Sequence, residues 1–523
     1  MKKYISILFC LISICFLFTH MTSCNRNADY EDGIKLLSEN NSSDEENGEK
    51  SEASDGLQYS LCDESTFYTV TGIGSFNGDS LIIPDSYNEL PVEVIGQNAF
   101  KDCVQLKNIS IPKSIKTIEK NAFYGCTQIE KIHFNSETMN DFKENDRVFY
   151  NAGANSDGIE LIIGSSVRSI PSYLFYPFGS LGIPNIIKLT FEDKSLCKSI
   201  GEYSFYGCSN LKNAVIPEKV ESIGISAFAN CSSIELIEYK SQEFDSKKIS
   251  PDLNFESIFY NSANGAKVLI SKNVKEIPSI FGYSNISYLE FEKGSLCEII
   301  NEYAFTNCFD LLKVDIPSKM KEIKSCAFSG CPRLVEICNH SELNIKANNA
   351  DYGFIGLYAL NIYSESEGSC KIVKADDGFV FYDDGVRCLL LAYYGTNSDI
   401  SLPDKYNGKA YDIYEYAFYE NLTLKSITIS DNVSSIGMLS FYKCKNLVSV
   451  VFGSAVESIG YSAFENCTSL ETVHIGKSIK MIKRFAFEGC HNVKTVTYDV
   501  TNNESNQIII DPIGNDCLKG LSH

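Results

Sequence analysis

The stretch that decides the fold is residues 95–117, which read IGQNAFKDCVQLKNISIPKSIKT, and Ile118 then restarts the same pattern. Ten copies share this register, and adjacent copies within a block start 23 residues apart. They begin at Ile95, Ile118, Ile200, Ile223, Ile300, Ile323, Ile413, Ile436, Ile459 and Ile482. A fixed period of this length is the sequence pattern of a solenoid, in which each repeat forms one structural unit.

Two columns of side chains recur in all ten copies. The first holds phenylalanine, at Phe100, Phe123, Phe205, Phe228, Phe305, Phe328, Phe418, Phe441, Phe464 and Phe487. The second, directly before it, holds alanine or serine, at Ala99, Ala122, Ser204, Ala227, Ala304, Ala327, Ala417, Ser440, Ala463 and Ala486. A single unit of this size cannot bury its apolar side, whereas stacked units share one continuous core.

Each unit contains one short strand. After Asn108, the side chains of Ile109 and Ile111 fall on one side of an extended chain, and the polar residues fall on the other. Pro112 ends the strand because it has no N–H for the ladder. The Ala-Phe-x-x-Cys stretch is too short for more than a helical turn, so the chain must return through short coil. The sequence therefore predicts a mostly-β solenoid with parallel strands about 4.8 Å apart.

The pattern Ile-Pro-x-x-Val-x-x-Ile-Gly-x-x-Ala-Phe-x-x-Cys-x-x-Leu-x-x-Ile resembles the BspA-type leucine-rich repeats of bacterial surface proteins. The resemblance covers about residues 80–500 and includes the repeat length. It implies an α/β-type solenoid, mostly β, shaped as a right-handed horseshoe. Short parallel strands would line its concave face, with short helical turns or coil on the convex side. It also implies a secreted or surface-anchored protein, some relatives being adhesins, and it implies no particular ligand.

Less regular segments separate the blocks of repeats. Residues 148–152 are echoed by 258–262, and residues 195–197 by 295–297, so a cassette of roughly a hundred residues was duplicated. We predict the following organisation: a solenoid over 57–345 with an N-terminal β-hairpin-like cap, a divergent repeat with a β-hairpin insertion over 346–412, four regular units over 413–498, and a C-terminal cap or tail over 499–523.

Residues 1–23 have the character of a lipoprotein signal. Lys2 and Lys3 precede an apolar run that is too short for a convincing spanning helix. Residues 22–24 resemble a bacterial lipobox, with Met21 in place of the more usual leucine. Lipidation of Cys24 would anchor the chain to the bacterial outer membrane or cell surface; the alternative is a plain thiol at this position. Residues 24–56 are polar and acidic, and we expect a flexible tether there.

The charge balance excludes some partners. The 523 residues include 46 Lys+Arg and 67 Asp+Glu, which gives a net charge of −21. Nucleic acid and anionic membrane surfaces would be repelled at long range, so a lipid anchor is the expected contact with a membrane. The hydrophobic fraction of 44% indicates a folded chain.

Nine of the 20 cysteines fill one further column of the repeat. They are Cys103, Cys126, Cys208, Cys231, Cys308, Cys331, Cys444, Cys467 and Cys490. We expect buried free thiols there because packing explains the column and no Cys-x-x-Cys pair occurs. A disulfide framework and a metal ladder are the alternatives. The pairing of the 17 cysteines outside the signal and the lipobox stays open, and we expect no metal and no cofactor.

Three motifs do not fit the sites that they suggest. Residues 476–478 read Gly-Lys-Ser but lack the earlier glycine of a phosphate-binding loop. The Asp pairs at 376–377 and 383–384 lack the spaced carboxylates of a calcium loop, and the second pair with its following glycine is typical of a hairpin turn. His133 and His474 fall on outward strand positions with no patterned nucleophile and carboxylate beside them. We therefore predict no catalytic residue.

The outward strand positions form the candidate binding surface, which the leucine-rich repeat resemblance places on the concave side. Its residues are acidic in the central part and rich in hydroxyls in the last four units. The candidates are Asn108, Ser110, Lys131, His133, Glu238, Glu290, Asp315, Ser426, Thr428, Thr472, His474, Thr495 and Thr497. The competing interpretation is that these are solvent-facing residues that merely favour strands.

We therefore expect a lipid-anchored surface protein, not an enzyme, that binds a host matrix protein or a bacterial surface protein. A glycan-binding surface lipoprotein is the first alternative, although the absence of tryptophan disfavours it. A purely structural surface spacer is the second alternative, and a hydrolase is the third. The excess of acidic residues favours a basic partner.

Overall fold

The computed structural model describes residues 53–177, 182–245, 257–262, 265–364, 368–499, 509–510 and 518. These residues lie in two compact units, an N-terminal unit within Ser38–Glu367 and a C-terminal unit within Gly368–His523. The predicted signal with Cys24, nearly all of the tether and most of the C-terminal tail lie outside the described residues. Each unit consists almost entirely of short strands and turns.

The N-terminal unit contains 23 strands in the segments of it that the structure describes. They are β1 Gln58–Leu61, β2 Tyr68–Gly72, β3 Ser80–Ile82, β4 Ser86–Tyr87, β5 Leu90–Ile95, β6 Asn108–Ile111, β7 Thr117–Ile118, β8 Lys131–Phe134, β9 Ile159–Ile163, β10 Ser169–Ile170, β11 Ile186–Phe191, β12 Ser199–Ile200, β13 Asn213–Ile216, β14 Ser222–Ile223, β15 Leu236–Tyr239, β16 Ala266–Ile270, β17 Glu276–Ile277, β18 Ile286–Phe291, β19 Ile299–Ile300, β20 Lys313–Ile316, β21 Glu322–Ile323, β22 Glu336–Asn339 and β23 Asn361–Tyr363.

The C-terminal unit contains 13 strands among its described residues. They are β24 Ile372–Lys374, β25 Phe379–Asp383, β26 Cys388–Tyr393, β27 Asp399–Ser401, β28 Asp412–Ile413, β29 Ser426–Thr428, β30 Ser435–Ile436, β31 Ser449–Val451, β32 Ser458–Ile459, β33 Thr472–Ile475, β34 Met481–Ile482, β35 Thr495–Tyr498 and β36 Ile509–Ile510.

Three parallel sheets carry the longer strand of each repeat, here called the main strand. In the N-terminal unit they run β11-β9-β8-β6-β3 and β13-β15-β16-β18-β20-β22-β23, and in the C-terminal unit β27-β29-β31-β33-β35. Equivalent positions of neighbouring repeats pair directly: Asn108 faces Lys131 in one sheet, and Thr472 faces Thr495 in another. The predicted mostly-β solenoid is confirmed.

Two-residue strands form a second side of each repeat. In the N-terminal unit they pair as β10-β12-β14 and β17-β19-β21, so that Ile200 faces Ile223. In the C-terminal unit they belong to the sheet β24-β25-β26-β28-β30-β32-β34-β36. The isoleucine with which each repeat of the sequence pattern begins lies in this second strand.

The phenylalanine column forms a stacked ladder in each unit. In the N-terminal unit, consecutive ring centroids lie 4.9–5.8 Å apart. That ladder runs through Phe100, Phe123, Phe149, Phe175, Phe205, Phe228, Phe259, Phe281, Phe305 and Phe328. In the C-terminal unit the rings of Phe418, Phe441, Phe464 and Phe487 stack at 4.6–5.2 Å. All of these rings are buried, so each repeat contributes one ring to a shared core.

The segment around each phenylalanine is an irregular turn rather than a helix. In most repeats, the residue two before the ring and the residue two after it both have positive φ, as at Tyr203 (53°) and Gly207 (71°) around Phe205. A left-handed residue on each side prevents continuation of a right-handed helical turn. Within residues 53–499, as far as the structure describes them, the only helix is the 3-10 segment Tyr352–Phe354. Of the two expectations for this side, helical turns or coil, the structure therefore has turns and coil.

Antiparallel hairpins interrupt the parallel pattern in each unit. Strands β1 and β2 pair antiparallel at the N-terminal end, and β2 continues in parallel with β5. Strands β25 and β26 form a hairpin closed by residues 384–387. The segment 346–412, expected as one divergent repeat, is divided between the units. Strand β23 pairs with β22 of the N-terminal unit, whereas β26 pairs with β28 of the C-terminal unit.

Candidate functional site

The main strands alternate between buried and solvent-facing side chains. In β6, Ile109 and Ile111 are buried, while Asn108 and Ser110 are partly exposed. The structure places all thirteen predicted residues at such outward positions of the main strands. It does not bring them into one cluster, because they lie in three separate hydrogen-bonded sheets.

The first sheet of the N-terminal unit has a charged row. Glu160 lies between Lys131 and Lys188, with Nζ to carboxylate distances of 3.9 and 3.4 Å. His133 pairs in register with Ser110 on one side and Ile162 on the other. Because these ion pairs are exposed, they add little to stability and mainly fix the charge pattern of the face.

The predicted acidic residues of the second sheet are each paired with a lysine. Glu238 lies 2.8 Å from Lys240, and Glu290 lies 3.0 Å from Lys267. Asp315 lies 3.1 Å from Lys313, and both side chains are largely covered. Burial raises the pKa of Asp315 from its ordinary value, while Lys313 opposes that shift. This face is therefore less negative than its sequence indicates.

The sheet of the C-terminal unit presents hydroxyl groups in register. Ser426, Ser449, Thr472 and Thr495 form one row, and Thr428, Val451, His474 and Thr497 form the next. At the first strand of the sheet, Ser426 Oγ donates to Asp399 Oδ1 at 2.6 Å. The hydrogen bonds from Ser426 and Ser398 hold the pKa of Asp399 below its usual range. Apart from Asp399 and His474, these two rows carry no ionisable group.

His474 has neighbours that sequence reasoning missed. Its Nδ1 lies 2.9 Å from Thr497 Oγ1, and its Nε2 lies 3.4 Å from Asp499 Oδ1. A hydroxyl, an imidazole and a carboxylate therefore meet on this face, although no nucleophile and carboxylate adjoin His474 in the sequence. The repeat period could have found Thr497, which occupies the same strand position one repeat later.

Thiols of the cysteine column form hydrogen bonds with backbone carbonyls of the phenylalanine ladder. Cys126 Sγ donates to the carbonyl of Phe100 at 3.0 Å, and Cys467 Sγ to that of Phe441 at 3.1 Å. Equivalent bonds occur at Cys231, Cys331, Cys444 and Cys490. Burial raises the pKa of Cys126 to about 12, so the thiol stays protonated at neutral pH. These thiols have a structural role, since a buried protonated thiol is a poor nucleophile.

Cys62 differs from the column thiols. It lies in the β1–β2 loop and is partly exposed. Its Sγ accepts hydrogen bonds from the backbone N–H groups of Thr66 at 3.2 Å and Phe67 at 3.4 Å. Hydrogen bonding by the Thr66 side chain and these N–H groups holds its pKa below the ordinary value. No repeat position corresponds to Cys62, so the sequence pattern gave no indication of this environment.

Metal and membrane sites can be assessed only for the part of the chain that the structure describes. Within it, no group of three or more His, Cys, Asp and Glu side chains is arranged to hold a metal ion. No helix in that part has the length and apolar character needed to cross a membrane.

Comparisons with known proteins match the repeats. The model of the BspA type leucine rich repeat region matches residues 93–188, 160–250, 198–335, 254–365 and 411–511. No curated protein matches the chain.

Several solved structures match with low sequence identity. A leucine rich cell surface protein of Faecalibacterium prausnitzii is 20% identical, with 88% of this chain and 97% of that chain covered and a TM-score of 0.28. A leucine-rich repeat protein of Bacteroides ovatus is 20% identical, with coverages of 84% and 93% and a TM-score of 0.26. The pneumococcal vaccine antigen PcpA is 14% identical, with coverages of 88% and 84% and a TM-score of 0.26.

The matched residues include more than half of the chain and coincide with the stacked repeats described above. The chain therefore belongs to the family of BspA-type leucine-rich repeat proteins.

Proposed function

We propose that this chain is an exported bacterial surface protein, anchored by a lipid on Cys24, whose main-strand faces bind other proteins. Membership of the BspA-type family supports a surface role. The basic start, short apolar run and lipobox-like residues 22–24 support export and lipidation. In this proposal the main-strand faces form the concave side of a horseshoe.

One observation carries the proposal, namely that outward side chains of successive main strands lie in register. In the C-terminal unit, Ser426, Ser449, Thr472 and Thr495 occupy one row at the spacing of a parallel sheet. Such a row is a pre-formed, extended surface, so a partner could bind through many weak contacts without reorganising the chain.

The proposal includes no catalytic step. His474, Thr497 and Asp499 lie on an open face, and Thr497 and Asp499 are exposed. The proposal assigns them no catalytic role because an open face weakens the electrostatic stabilisation that fixed dipoles and charges give a transition state. The same three groups suit hydrogen bonding to a partner.

Arginine substitutions in the row test the face. Thr472→Arg places a long charged side chain in the middle of it, and we expect loss of binding to the proteins that the wild type captures from extracellular matrix and from neighbouring bacteria. Thr468→Arg is the matched control, because Thr468 is exposed in a turn outside the face. Binding would be measured by biolayer interferometry with purified matrix proteins. Equal loss of binding in both variants, or loss in neither, would contradict the proposed face. If the wild type bound none of the proteins, the result would favour a structural spacer.

A second candidate is binding of a neutral glycan, which the hydroxyl rows of the C-terminal unit favour. Thr472→Val and His474→Ala would remove hydrogen-bonding groups and leave the strands intact. Loss of glycan-array binding in these variants, with protein binding retained, would assign this face to a glycan.

Lipid anchoring is tested separately by metabolic labelling with an alkyne fatty acid. We expect label in the wild type and none in Cys24→Ala. An unlabelled wild type would refute the anchor and leave the proposal for the face untouched.

A further inference from the structure

Three side chains of different chemistry meet at the last two main strands of the C-terminal unit. His474 lies on β33, Thr497 lies opposite it in register on β35, and Asp499 follows β35. The imidazole Nδ1 lies 2.9 Å from Thr497 Oγ1, and Nε2 lies 3.4 Å from Asp499 Oδ1. The His474 side chain is 33% exposed, so protons from solvent reach the ring. These three residues, here called the His474 group, form one connected unit at the surface.

The carboxylate of Asp499 fixes the position of the hydrogen on the neutral imidazole. An ionised carboxylate accepts hydrogen bonds but cannot donate them, so Nε2 carries the hydrogen where it faces Asp499. Nδ1 is then the acceptor, and the hydroxyl of Thr497 donates to it. In this state the hydroxyl hydrogen points at the ring, so Thr497 offers only its lone pairs to a partner.

Protonation of His474 reverses the hydrogen bond with Thr497. An imidazolium donates from both of its nitrogens, so Nδ1–H donates to Thr497 Oγ1 and the hydroxyl hydrogen turns toward solvent. The imidazolium also cancels the charge of Asp499, so the His474 group passes from one net negative charge to none. Histidine is the side chain whose charge ordinarily changes between pH 5 and pH 8.

The strands and turns around His474 contribute charges of fixed sign. On β31 the residue in register with His474 is Val451, and on β35 it is the threonine already described. In the adjoining turns, Glu471 pairs with Lys494 at 2.8 Å, and Lys477 follows β33. Carboxylate and lysine side chains ordinarily keep their charges between pH 5 and pH 8, so the change of charge in this range falls on the imidazole.

Further hydroxyl groups adjoin the His474 group. Thr472 and Thr495 pair in register two residues before His474 and Thr497, and side chains two apart in a strand share a face. Both threonines are exposed. When the hydroxyl of Thr497 also turns outward, three donors lie side by side, which suits a carboxylate because an ionised carboxylate only accepts.

We propose that the His474 group makes the main-strand face of the C-terminal unit bind carboxylate-bearing protein segments at acidic pH and release them near neutral pH. This role rests on the proposed function of the same face, and it adds the class of partner and its control. The net charge of −21 acts weakly here, because the other ionisable side chain of the two rows, Asp399, lies three strands away. That separation of about 14 Å exceeds the screening length of about 8 Å at physiological salt.

The test uses the full chain and a fluorescein-labelled peptide of alternating glutamate and glycine, read by fluorescence anisotropy. The matched probe has glutamine in place of glutamate, which keeps the shape and removes the charge. Glutamate is almost fully ionised at both pH 5.5 and pH 7.5, so the probe itself changes little. We expect the glutamate peptide to bind about tenfold more tightly at pH 5.5 than at pH 7.5, and the glutamine peptide to bind alike at both.

Variants assign the pH dependence to the His474 group. His474→Gln should abolish it, because glutamine forms hydrogen bonds but does not titrate. Thr497→Val should weaken binding at pH 5.5, because the outward donor is lost. Asp499→Asn should strengthen binding at pH 7.5, because it removes the charge that repels the carboxylate. Circular dichroism melts would verify that each variant is folded.

His133→Gln is the matched control and should leave the pH dependence unchanged. His133 also occupies an outward main-strand position, where Ser110 and Ile162 lie in register with it and neither titrates.

Nitrogen NMR of the full chain carrying 15N-labelled histidine tests the hydrogen-bond arrangement without any partner. At pH 7.5 we expect the His474 signals to show the hydrogen on Nε2, and Asp499→Asn to reduce that preference. The signals are assigned by their loss in His474→Gln.

Three outcomes would overturn the proposal. They are no detectable binding of the glutamate peptide at pH 5.5, the same pH dependence in the wild type and His474→Gln, and a neutral ring with its hydrogen on Nδ1. If Thr472→Arg abolished the binding of matrix proteins while one of these outcomes held, the face would stand and its control by His474 would fall. If the glutamate peptide behaved as expected and no matrix protein bound, the role of the face in binding those proteins would fall instead.

Discussion

Two serines replace alanine in the small-residue column, at Ser204 and Ser440. Both are fully buried, and neither hydroxyl has a hydrogen-bond partner in the described structure. A buried hydroxyl without a partner loses its bonds to water and gains none in return. The repeat therefore tolerates serine here at a cost in stability, which explains why the column is mostly alanine.

Ser204→Ala should stabilise the N-terminal unit. The substitution removes an unpaired polar group and leaves the methylene in place, so we expect a gain of about 1 kcal/mol in the free energy of unfolding. Urea denaturation followed by circular dichroism would measure it.

Ser284→Ala is the control for this prediction. Ser284 is equally buried, but its Oγ donates to the carbonyl of Phe281 at 2.6 Å. We expect this variant to lose about 1 kcal/mol, the net contribution of one buried hydrogen bond, and Cys308 Sγ at 3.2 Å remains as the other donor to that carbonyl. A destabilised Ser204→Ala would show that the Ser204 hydroxyl has a partner, such as a buried water.

At the scale of the element, the turns around the phenylalanines determine how closely repeats can stack. Gly330, two residues after Phe328, has φ of 71°. A Cβ on Gly330 would meet Asn307 Oδ1 of the preceding repeat. Glycine is favoured here by the left-handed backbone, which Asn466 and Lys443 also adopt at this position in other repeats, and by the approach of the Asn307 side chain, which would have to shift to admit a methyl group.

Gly330→Ala should therefore destabilise the N-terminal unit by about 3 kcal/mol, the sum of the left-handed cost and of overpacking. Gly294→Ala separates the two terms, because Gly294 has φ of 77° and open space around its Cβ position. We expect about 1 kcal/mol for it, since Lys194 adopts φ of 58° at the equivalent position of the other cassette. Equal effects in urea denaturation would show that the approach to Asn307 adds nothing.

At the scale of the whole molecule, two cores support the two units. One hydrophobic cluster runs from Leu57 to Ala359, and the other from Phe379 to Leu518. Repeat proteins derive their stability from contacts between neighbouring repeats, so a defect acts mainly within its own stack. Each unit should consequently behave as its own cooperative unit.

Differential scanning calorimetry tests this expectation with one large-to-small substitution in each ladder. Phe228 stacks at 5.0 Å on Phe205, and Phe464 stacks at 4.7 Å on Phe441. Phe228→Ala should lower the transition temperature of the N-terminal unit only, and Phe464→Ala that of the C-terminal unit only. Each substitution should reduce the free energy of unfolding of its unit by about 3–5 kcal/mol. One transition that both variants shift equally would show that the units unfold together.

Much of the fold follows from the sequence, because the repeat imposes the same geometry ten times. The short strands, their outward residues and the phenylalanine column were all predicted from the period. The divergent repeats were harder to place. Phe149, Phe175, Phe259 and Phe281 join the ladder, although their spacing departs from 23 residues. The residues that change the repeat length lie in turns between the strands. The stack of rings therefore continues in repeats where the 23-residue period of the sequence does not hold.

The sequence by itself determined that short strands stack in register, which residues face outward, and which positions must be small or aromatic. Only the tertiary structure decided that Asp499 joins His474, that Lys267 pairs with Glu290 of the next main strand, and that Tyr173 and Tyr176 pack against Tyr203 and Tyr206 of the next repeat. These groupings join side chains from different repeats or across an irregular turn. A repeat period fixes the backbone register, whereas the direction of each long side chain depends on its neighbours in space.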